Sequence, residues 1–351
     1  MASLLPTIPD ALANPAGAPR FGTWEGGFEA VNLSGLAAPY GLPLHRRLVH
    51  HKRWFYAFAA TQEVAALCAV ADLTYTSNAF VLAVDLKAKK ALVDESFLGA
   101  VRPFVHVGDR PNGGLEAWYR APLGRFELKR PAGDARYHLD VRLGLPVPLR
   151  SAPFAWQCDL LTAGAAPPLT VVAPVDGGGT VNVTQKWAGL QSFGTLEHKG
   201  RRWTMDGGVG GFDYTHGYLA RQTSWRWAFG CGRLDDGTPV GLNLVEGFNE
   251  TRDDVNENAL WLDGVLYPLG RARFTFRRDD PLDPWLLETR DGALSLQFRP
   301  IAAHRENKNL GLIKSRFVQP VGLFEGTVKL PGRTLKLTSF PGVTEDQDIL
   351  W

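Results

Sequence analysis

Arg53-Trp54-Phe55-Tyr56-Ala57-Phe58 and Ser224-Trp225-Arg226-Trp227-Ala228-Phe229 carry one aromatic pattern twice in the chain. The likeness extends outward from both. Asn78-Ala79-Phe80-Val81-Leu82-Ala83-Val84-Asp85 resembles Asn258-Ala259-Leu260-Trp261-Leu262-Asp263, and Val101-Arg102-Pro103-Phe104 resembles Arg271-Ala272-Arg273-Phe274. Matching residues lie 170 to 180 positions apart. That spacing fits one duplicated unit carrying small insertions, against chance similarity among aromatic strands.

The segments around these matches read as strands. In the first half they are Arg53–Thr61, Ala66–Tyr75, Ala79–Leu86, Lys89–Phe97, Gly114–Arg120, Phe126–Arg130 and Arg136–Leu143. In the second they are Thr223–Leu234, Thr238–Phe248, Ala259–Leu262, Val265–Pro268, Ala272–Arg277, Trp285–Thr289, Ala293–Arg299, Gly322–Lys329 and Arg333–Leu337. Turn signals such as Pro111-Asn112-Gly113-Gly114 and Leu234-Asp235-Asp236-Gly237 separate them, as in a meander. With 38 Gly and 24 Pro in 351 residues, long helices have little room. The expected fold is all-β: two tandem up-and-down barrels or strongly curved antiparallel sheets. Residues 1–25 are expected to be an irregular arm, 26–175 the first domain and 176–351 the second, with the junction at the Pro/Ala/Gly stretch 163–168 and the glycines 177–179.

Net charge is +2 and the basic residues are scattered, so no global field recruits nucleic acid. Lys199-Gly200-Arg201-Arg202 reads as a charged hairpin turn. Cys68, Cys158 and Cys231 lie far apart with no CxxC pair, which fits a reducing compartment. The first residues lack a basic n-region, and no segment approaches the 18 or so apolar residues of a transmembrane helix. A cytoplasmic protein is expected. The eight histidines give no HxH, HxxxH or HExxH, and GxSxG, SxxK and P-loop motifs are absent. No metal or other cofactor is expected.

Polar and aromatic residues gather in the second half. Asn243, Glu246, Asn249, Glu250, Asp253, Asp254, Asn256 and Glu257 precede Asn258, and five of the eleven tryptophans fall between 187 and 261. Such a mixture lines ligand cavities. Gly207-Gly-Val-Gly-Gly-Phe-Asp213-Tyr214-Thr215-His216-Gly217 is not a nucleotide fingerprint. Its glycines are expected to allow a tight backbone path that pushes the intervening side chains into a cavity; the structural alternative is a polar loop in which Asp213 caps backbone amides. On the next strand Thr223, Trp225, Trp227, Phe229 and Cys231 share a face, either as core or as a wall of aromatic faces around a ligand. Glu246 falls on an apolar face with Leu242, Leu244 and Phe248. It is there unpaired, paired with a group such as Arg221, or functional.

Asp213-Tyr-Thr-His-Gly-Tyr-Leu-Ala-Arg-Gln-Thr-Ser-Trp-Arg-Trp-Ala, Gly241-Leu-Asn243-Leu, Glu257-Asn258, Trp261-Leu-Asp-Gly264 and the ending Gly342-Val-Thr-Glu345-Asp346-Gln-Asp-Ile-Leu-Trp351 resemble the family called domain of unknown function 2804, DUF2804. More distantly, two lipocalin-like units in one chain resemble the carotenoid 1,2-hydratase and AttH-like group and the lipocalin-like fungal Diels–Alderases. In the carotenoid hydratases an aspartate beside aromatic residues is implicated in protonating an isoprenoid double bond. The resemblance implies that role for Asp213, with Tyr214 and Trp225 or Trp227 nearby. The expected function is an acid/base hydratase, isomerase or cyclase acting on a hydrophobic isoprenoid- or polyketide-like molecule. Asp213, kept protonated by desolvation, would be the acid. Glu246 or His216 would position water or accept the proton, and Tyr214, Arg221, Trp225, Trp227, Asn243, Asn249, Glu257 and Trp261 would hold the substrate. The alternatives are a non-catalytic binder of a hydrophobic or amphipathic ligand, and an interaction protein whose tryptophans are fully packed.

Overall fold

The computed structural model describes residues 4–144, 154–309, 311 and 314–351. The first three residues of the expected arm, and 145–153 within the expected first domain, lie outside the described residues. The chain begins with β1 (Gly22–Glu25) and a short helix, α1 (Leu44–His50), and then turns wholly to strands. A long-stranded meander comes first: β2 (His51–Ala60), β3 (Val64–Asp72), β4 (Ser77–Asp85) and β5 (Lys90–Leu98). Shorter strands follow: β6 (Val105–Val107), β7 (Leu115–Ala121), β8 (Gly124–Arg130), β9 (Arg136–Leu143), β10 (Phe154–Leu161) and β11 (Leu169–Pro174). β12 (Val181–His198), β13 (Arg201–Thr204) and β14 (Gly208–Tyr218) complete the first sheet. The second comprises β15 (Gln222–Arg233), β16 (Pro239–Glu246), β17 (Ala259–Leu262), β18 (Val265–Pro268), β19 (Ala272–Thr275), β20 (Trp285–Thr289), β21 (Leu294–Asn309), β22 (Lys314–Leu330) and β23 (Arg333–Leu350).

Both sheets are antiparallel and share one plan. The first runs β5-β4-β3-β2-β14-β12-β10-β9-β8-β7-β6 and the second β18-β17-β16-β15-β23-β22-β21-β20-β19. In each, the opening strand starts a four-strand meander, and the final strand returns to pair with its other side. The result is two strongly curved, lipocalin-like half-barrels. All three sequence matches join strands with the same place in the plan: β2 with β15, β4 with β17, and the β6 region with β19. Tight turns close the meanders where the sequence supplies them. Asp263-Gly264, both at positive φ, link β17 to β18, the two-residue geometry that matches strand twist.

Three expectations need correction. The change of sheet comes at residues 219–221, after β14, and not near 176. The glycine-flanked stretch, expected to take a tight backbone path or, alternatively, to form a polar loop, is strand β14, paired with β2 and, around one bulge, with β12. Its glycines serve close packing: a Cβ on Gly211 would lie 2.2 Å from the Trp187 carbonyl oxygen. Finally, the end of the expected irregular arm forms β1, which pairs with β11. No helix among the described residues is long and apolar enough to cross a membrane.

The two sheets are fused by one hydrophobic core. Phe55, Phe58 and Phe212 of the first sheet share a buried cluster with Trp227, Phe229 and Val343 of the second. Residues with the same place in the two units meet across it. Trp54 stacks on Trp225 with centroids 6.1 Å apart, Tyr56 meets Trp227 edge-on at 4.9 Å, and Phe58 meets Phe229 at 6.3 Å.

Candidate active site

Where these faces separate, they leave a cavity of about 170 Å³. Trp54, Tyr56 and Phe80 line it from the first sheet, and Trp225, Trp227 and Phe317 from the second. Strand register sets which polar groups join them. Lys186 of β12 lies opposite Asp213 of β14, which lies opposite Tyr56 of β2. In the second sheet Glu345 of β23 lies opposite Trp227 of β15. Partners directly across a ladder point to the same face, so all these side chains reach the inter-sheet space.

Asp213 and Glu345 hold the same place in their units. The Trp54 indole N–H donates to Asp213 Oδ2 at 3.0 Å, and the Trp225 indole N–H donates to Glu345 Oε1 at 2.5 Å. Their other partners differ. Asp213 Oδ1 accepts from Lys186 Nζ at 2.6 Å and from the Thr184 hydroxyl at 3.1 Å. Lys186 Nζ also lies 3.3 Å from Glu257 Oε2. Burial alone would lower the Lys186 pKa, but Asp213 and Glu257 outweigh it and hold the ammonium charged. Asp213, expected from sequence as an acid kept apart by desolvation, has the Lys186 ammonium directly against it. Glu257 is raised by burial, with Lys186 opposing the shift.

Among the described residues Glu345 makes no ion pair, and Lys186 lowers its pKa only from a distance. Its second oxygen accepts from the Gln319 side-chain amide. Burial pushes its carboxyl up to about 7, against hydrogen bonds from Trp225 and Gln319 that favour the ionised form; the nearby Asp213 charge adds to the rise. Both contacts are donated to Glu345, so a proton on its carboxyl is left for a ligand. Two carboxylates in matching places, one fixed by a lysine and one poised near neutrality, are a separation suited to acid/base work.

A family model described as domain of unknown function (DUF2804) matches residues 6–351. The chain belongs to the DUF2804 family. No curated protein matches this DUF2804 chain in sequence. Among solved structures, CghA with Sch210972 is similar at 11% identity over 97% of each chain, with a TM-score of 0.53. At that identity the likeness is one of fold. An AttH homologue from Nitrosomonas europaea gives a TM-score of 0.47 at 12% identity, covering 90% of this chain and 96% of that one. Kievitone hydratase from Nectria haematococca gives 0.46 at 12%, covering 94% and 98%.

The DUF2804 cavity gathers some of the residues expected from sequence and leaves others aside. Asp213, Trp225, Trp227 and Glu257 line it. Asn243 and Asn249 stand behind the wall: Asn243 accepts from the Trp227 indole at 2.7 Å, and Asn249 donates to Glu257 Oε1 at 2.5 Å. They orient the lining residues. Tyr214 and His216 alternate with Asp213 along β14 and face the interior of the first unit. The Tyr214 hydroxyl donates to the Gly108 carbonyl, and His216 Nε2 meets His51 Nε2 at 2.8 Å. Burial, then His51 and Arg53, push His216 well below its ordinary value, so it is neutral. Glu246 accepts from the Phe274 amide at the rim of the second unit's own core. β16 ends there, and Gly247 at φ 83° turns Phe248 back toward the cavity. Trp261 donates to the Pro167 carbonyl, beside Gly189. Arg221 is outside the lining, its carbonyl accepting from the Trp351 amide. Sequence reasoning passed over Glu345, Lys186, Gln319, Trp54 and Tyr56. For Glu345 a signal existed, since it lies in the C-terminal stretch that carries the family resemblance. Among the described residues, no group of three or more His, Cys, Asp or Glu is placed to hold a metal.

Proposed function

We propose that this cavity is the active site of an acid/base enzyme of hydratase, isomerase or cyclase type, acting on a hydrophobic isoprenoid- or polyketide-like small molecule. The observation that carries this reading is Glu345: a buried carboxyl on the cavity wall whose two oxygens accept from the Trp225 indole and the Gln319 amide, with burial pushing its pKa up to about 7. Such a group both gives and takes a proton at neutral pH, which supplies about 10²–10⁴-fold of rate. The indole faces of Trp54, Trp225 and Trp227 stabilise positive charge that develops on protonating an alkene or carbonyl. Asp213, anchored by Lys186, fixes a negative charge beside that centre. Capture of the intermediate by water gives hydration, loss of another proton gives isomerisation, and attack by a second double bond gives cyclisation. The fold itself licenses none of this chemistry.

Native mass spectrometry of the protein as purified identifies a retained small molecule. Wild type and Glu345→Gln are then compared on that molecule in deuterated buffer. Deuterium enters the product with wild type, and Glu345→Gln still binds but turns over at least about a hundredfold more slowly. Equal turnover by both contradicts the assignment. Tight binding by wild type with no product makes the chain a binder.

A further inference from the structure

We propose that the first unit's rim of the cavity mouth docks on an anionic lipid surface, from which the cavity takes its ligand. The inference rests on reading the cavity as a site for a hydrophobic molecule and adds where that molecule is met. Leu98 marks the mouth: it lines the cavity and is 47% exposed. Register gathers the neighbouring segments at the same end. Arg53 of β2 pairs with Asp72 at the end of β3, Asp72 with Ser77 at the start of β4, and Asn78 with Leu98 at the end of β5. α1 leads straight into β2, residues 73–76 turn from β3 to β4, and residues 99–104 follow β5. Contacts tie the three together. The Thr74 hydroxyl donates to the His51 carbonyl, the Ser77 hydroxyl donates to the Ala100 carbonyl, and Arg102 reaches Asp72 at 3.2 Å. On this rim stand Leu44, Leu48, Tyr75, Leu98, Val101 and Phe104, six of the ten large hydrophobic side chains exposed among the described residues. No residue of α1 is buried; Leu44 and Leu48, one turn apart, are 79% and 57% exposed. Val101 and Phe104 are each 55% exposed. Apolar side chains concentrated in this way mark an interaction surface.

Charge and layout choose the occupant. Residues 44–50, 73–76 and 99–104 carry Arg46, Arg47 and Arg102 and no Asp or Glu. Asp72, which holds Arg102, is buried and is also paired with Arg53. The turn beside α1, whose Gly178 carbonyl accepts from Arg46, adds one acid, Asp176. Glu250, Asp253 and Asp254 follow β16 in the second unit, so the side that meets an anionic surface is the first unit's rim. Apolar tips set among guanidinium groups suit the headgroup boundary of an anionic bilayer, where the tips sink and the arginines meet phosphates. These tips come from three separate segments beside an opening and form no continuous groove, which fits a fluid surface better than a folded partner. A molecule dissolved in acyl chains then passes Leu98 into the aromatic-lined cavity without crossing water.

The full chain is sedimented with vesicles of phosphatidylcholine alone and of equal parts phosphatidylcholine and phosphatidylglycerol. Wild type should bind the mixed vesicles at least about tenfold more tightly than the neutral ones. Arg46→Gln with Arg102→Gln should remove most of that preference. Leu48→Ser with Phe104→Ser should weaken binding to the mixed vesicles at least about tenfold. Leu123→Ser with Leu286→Ser, two exposed leucines outside the rim segments, should bind as wild type does, and near-ultraviolet circular dichroism shows that each variant is folded. Lipid docking is overturned if wild type binds neither vesicle, if the rim pair binds as wild type, or if the outside pair loses as much. Dimerisation of wild type without vesicles that Leu48→Ser with Phe104→Ser abolishes assigns the rim to a second copy and overturns it too. Vesicle binding is read without turnover, and Glu345→Gln should bind vesicles as wild type does, so failure here and failure of the acid/base reading are separate results.

Discussion

Lys186 decides how the two equivalent carboxylates divide their work. It sits 2.6 Å from Asp213 and 3.3 Å from Glu257, with its ammonium 5.5 Å from the centre of the Trp227 ring. Replacing it leaves two buried carboxylates without a cation, so Lys186→Met should destabilise the fold by about 3–5 kcal/mol. Adding Asp213→Asn should recover part of that loss, and a double-mutant cycle in urea measures the coupling. Glu345 makes the opposite contribution. Its carboxyl titrates at about 7 in the fold against 4.5 ordinarily, so between those values the folded chain binds the proton more tightly than the unfolded chain. The stability it supplies is complete below about 4.5 and is lost as pH rises through about 7, some 3 kcal/mol in all. Glu345→Gln removes this dependence. Compared at pH 5 and pH 8, wild type should lose stability relative to the variant; parallel pH curves would contradict the assignment.

At the scale of strands, the close approach of the sheets depends on small residues. β12 carries a bulge between Trp187 and Leu190, and Gly189 in it faces Gly241 of β16. A Cβ on Gly241 would lie 2.4 Å from the Ala188 Cβ and 2.5 Å from the Gly189 nitrogen. Gly241→Ala should therefore lower the urea midpoint by an amount equivalent to about 1–3 kcal/mol, and an unchanged midpoint would show that the sheets can part there. Legibility followed burial. Strands such as β9, with one face in the core and one in solvent, alternate cleanly and read directly from Arg136–Leu143. β12 does not, because both its faces are buried: Val181 and Val183 point one way, while Asn182, Thr184 and Lys186 point into the polar network. Without the partner strands that satisfy them, these polar residues look like solvent-facing positions. The end of β23 hid for the same reason, since Thr344-Glu345-Asp346-Gln347-Asp348 resembles a loop until the cavity and the arginines around Asp346 are in place.

For the whole molecule, the repeat was visible because β2 and β15 kept their aromatic pattern, but the matching of Asp213 with Glu345 was not. The first unit places more strands between its opening and closing strands than the second, so no constant offset connects the two carboxylates. The repeat also explains where the site lies: equivalent faces meet, and their central polar residues share one enclosure. Because the core spans both sheets, the chain should unfold in urea as one transition, with near- and far-ultraviolet signals coincident. Residues 219–351 alone should fail to give a folded monomer, since they would expose Trp225, Trp227 and Phe229; two resolved transitions would contradict that coupling. The central claim is that the space between the units is an acid/base site built on Glu345. Its most direct test is the protonated-carboxyl infrared band of wild type minus that of Glu345→Gln, followed against pH. A midpoint near 7 is expected, and a midpoint at the ordinary 4.5 would contradict it.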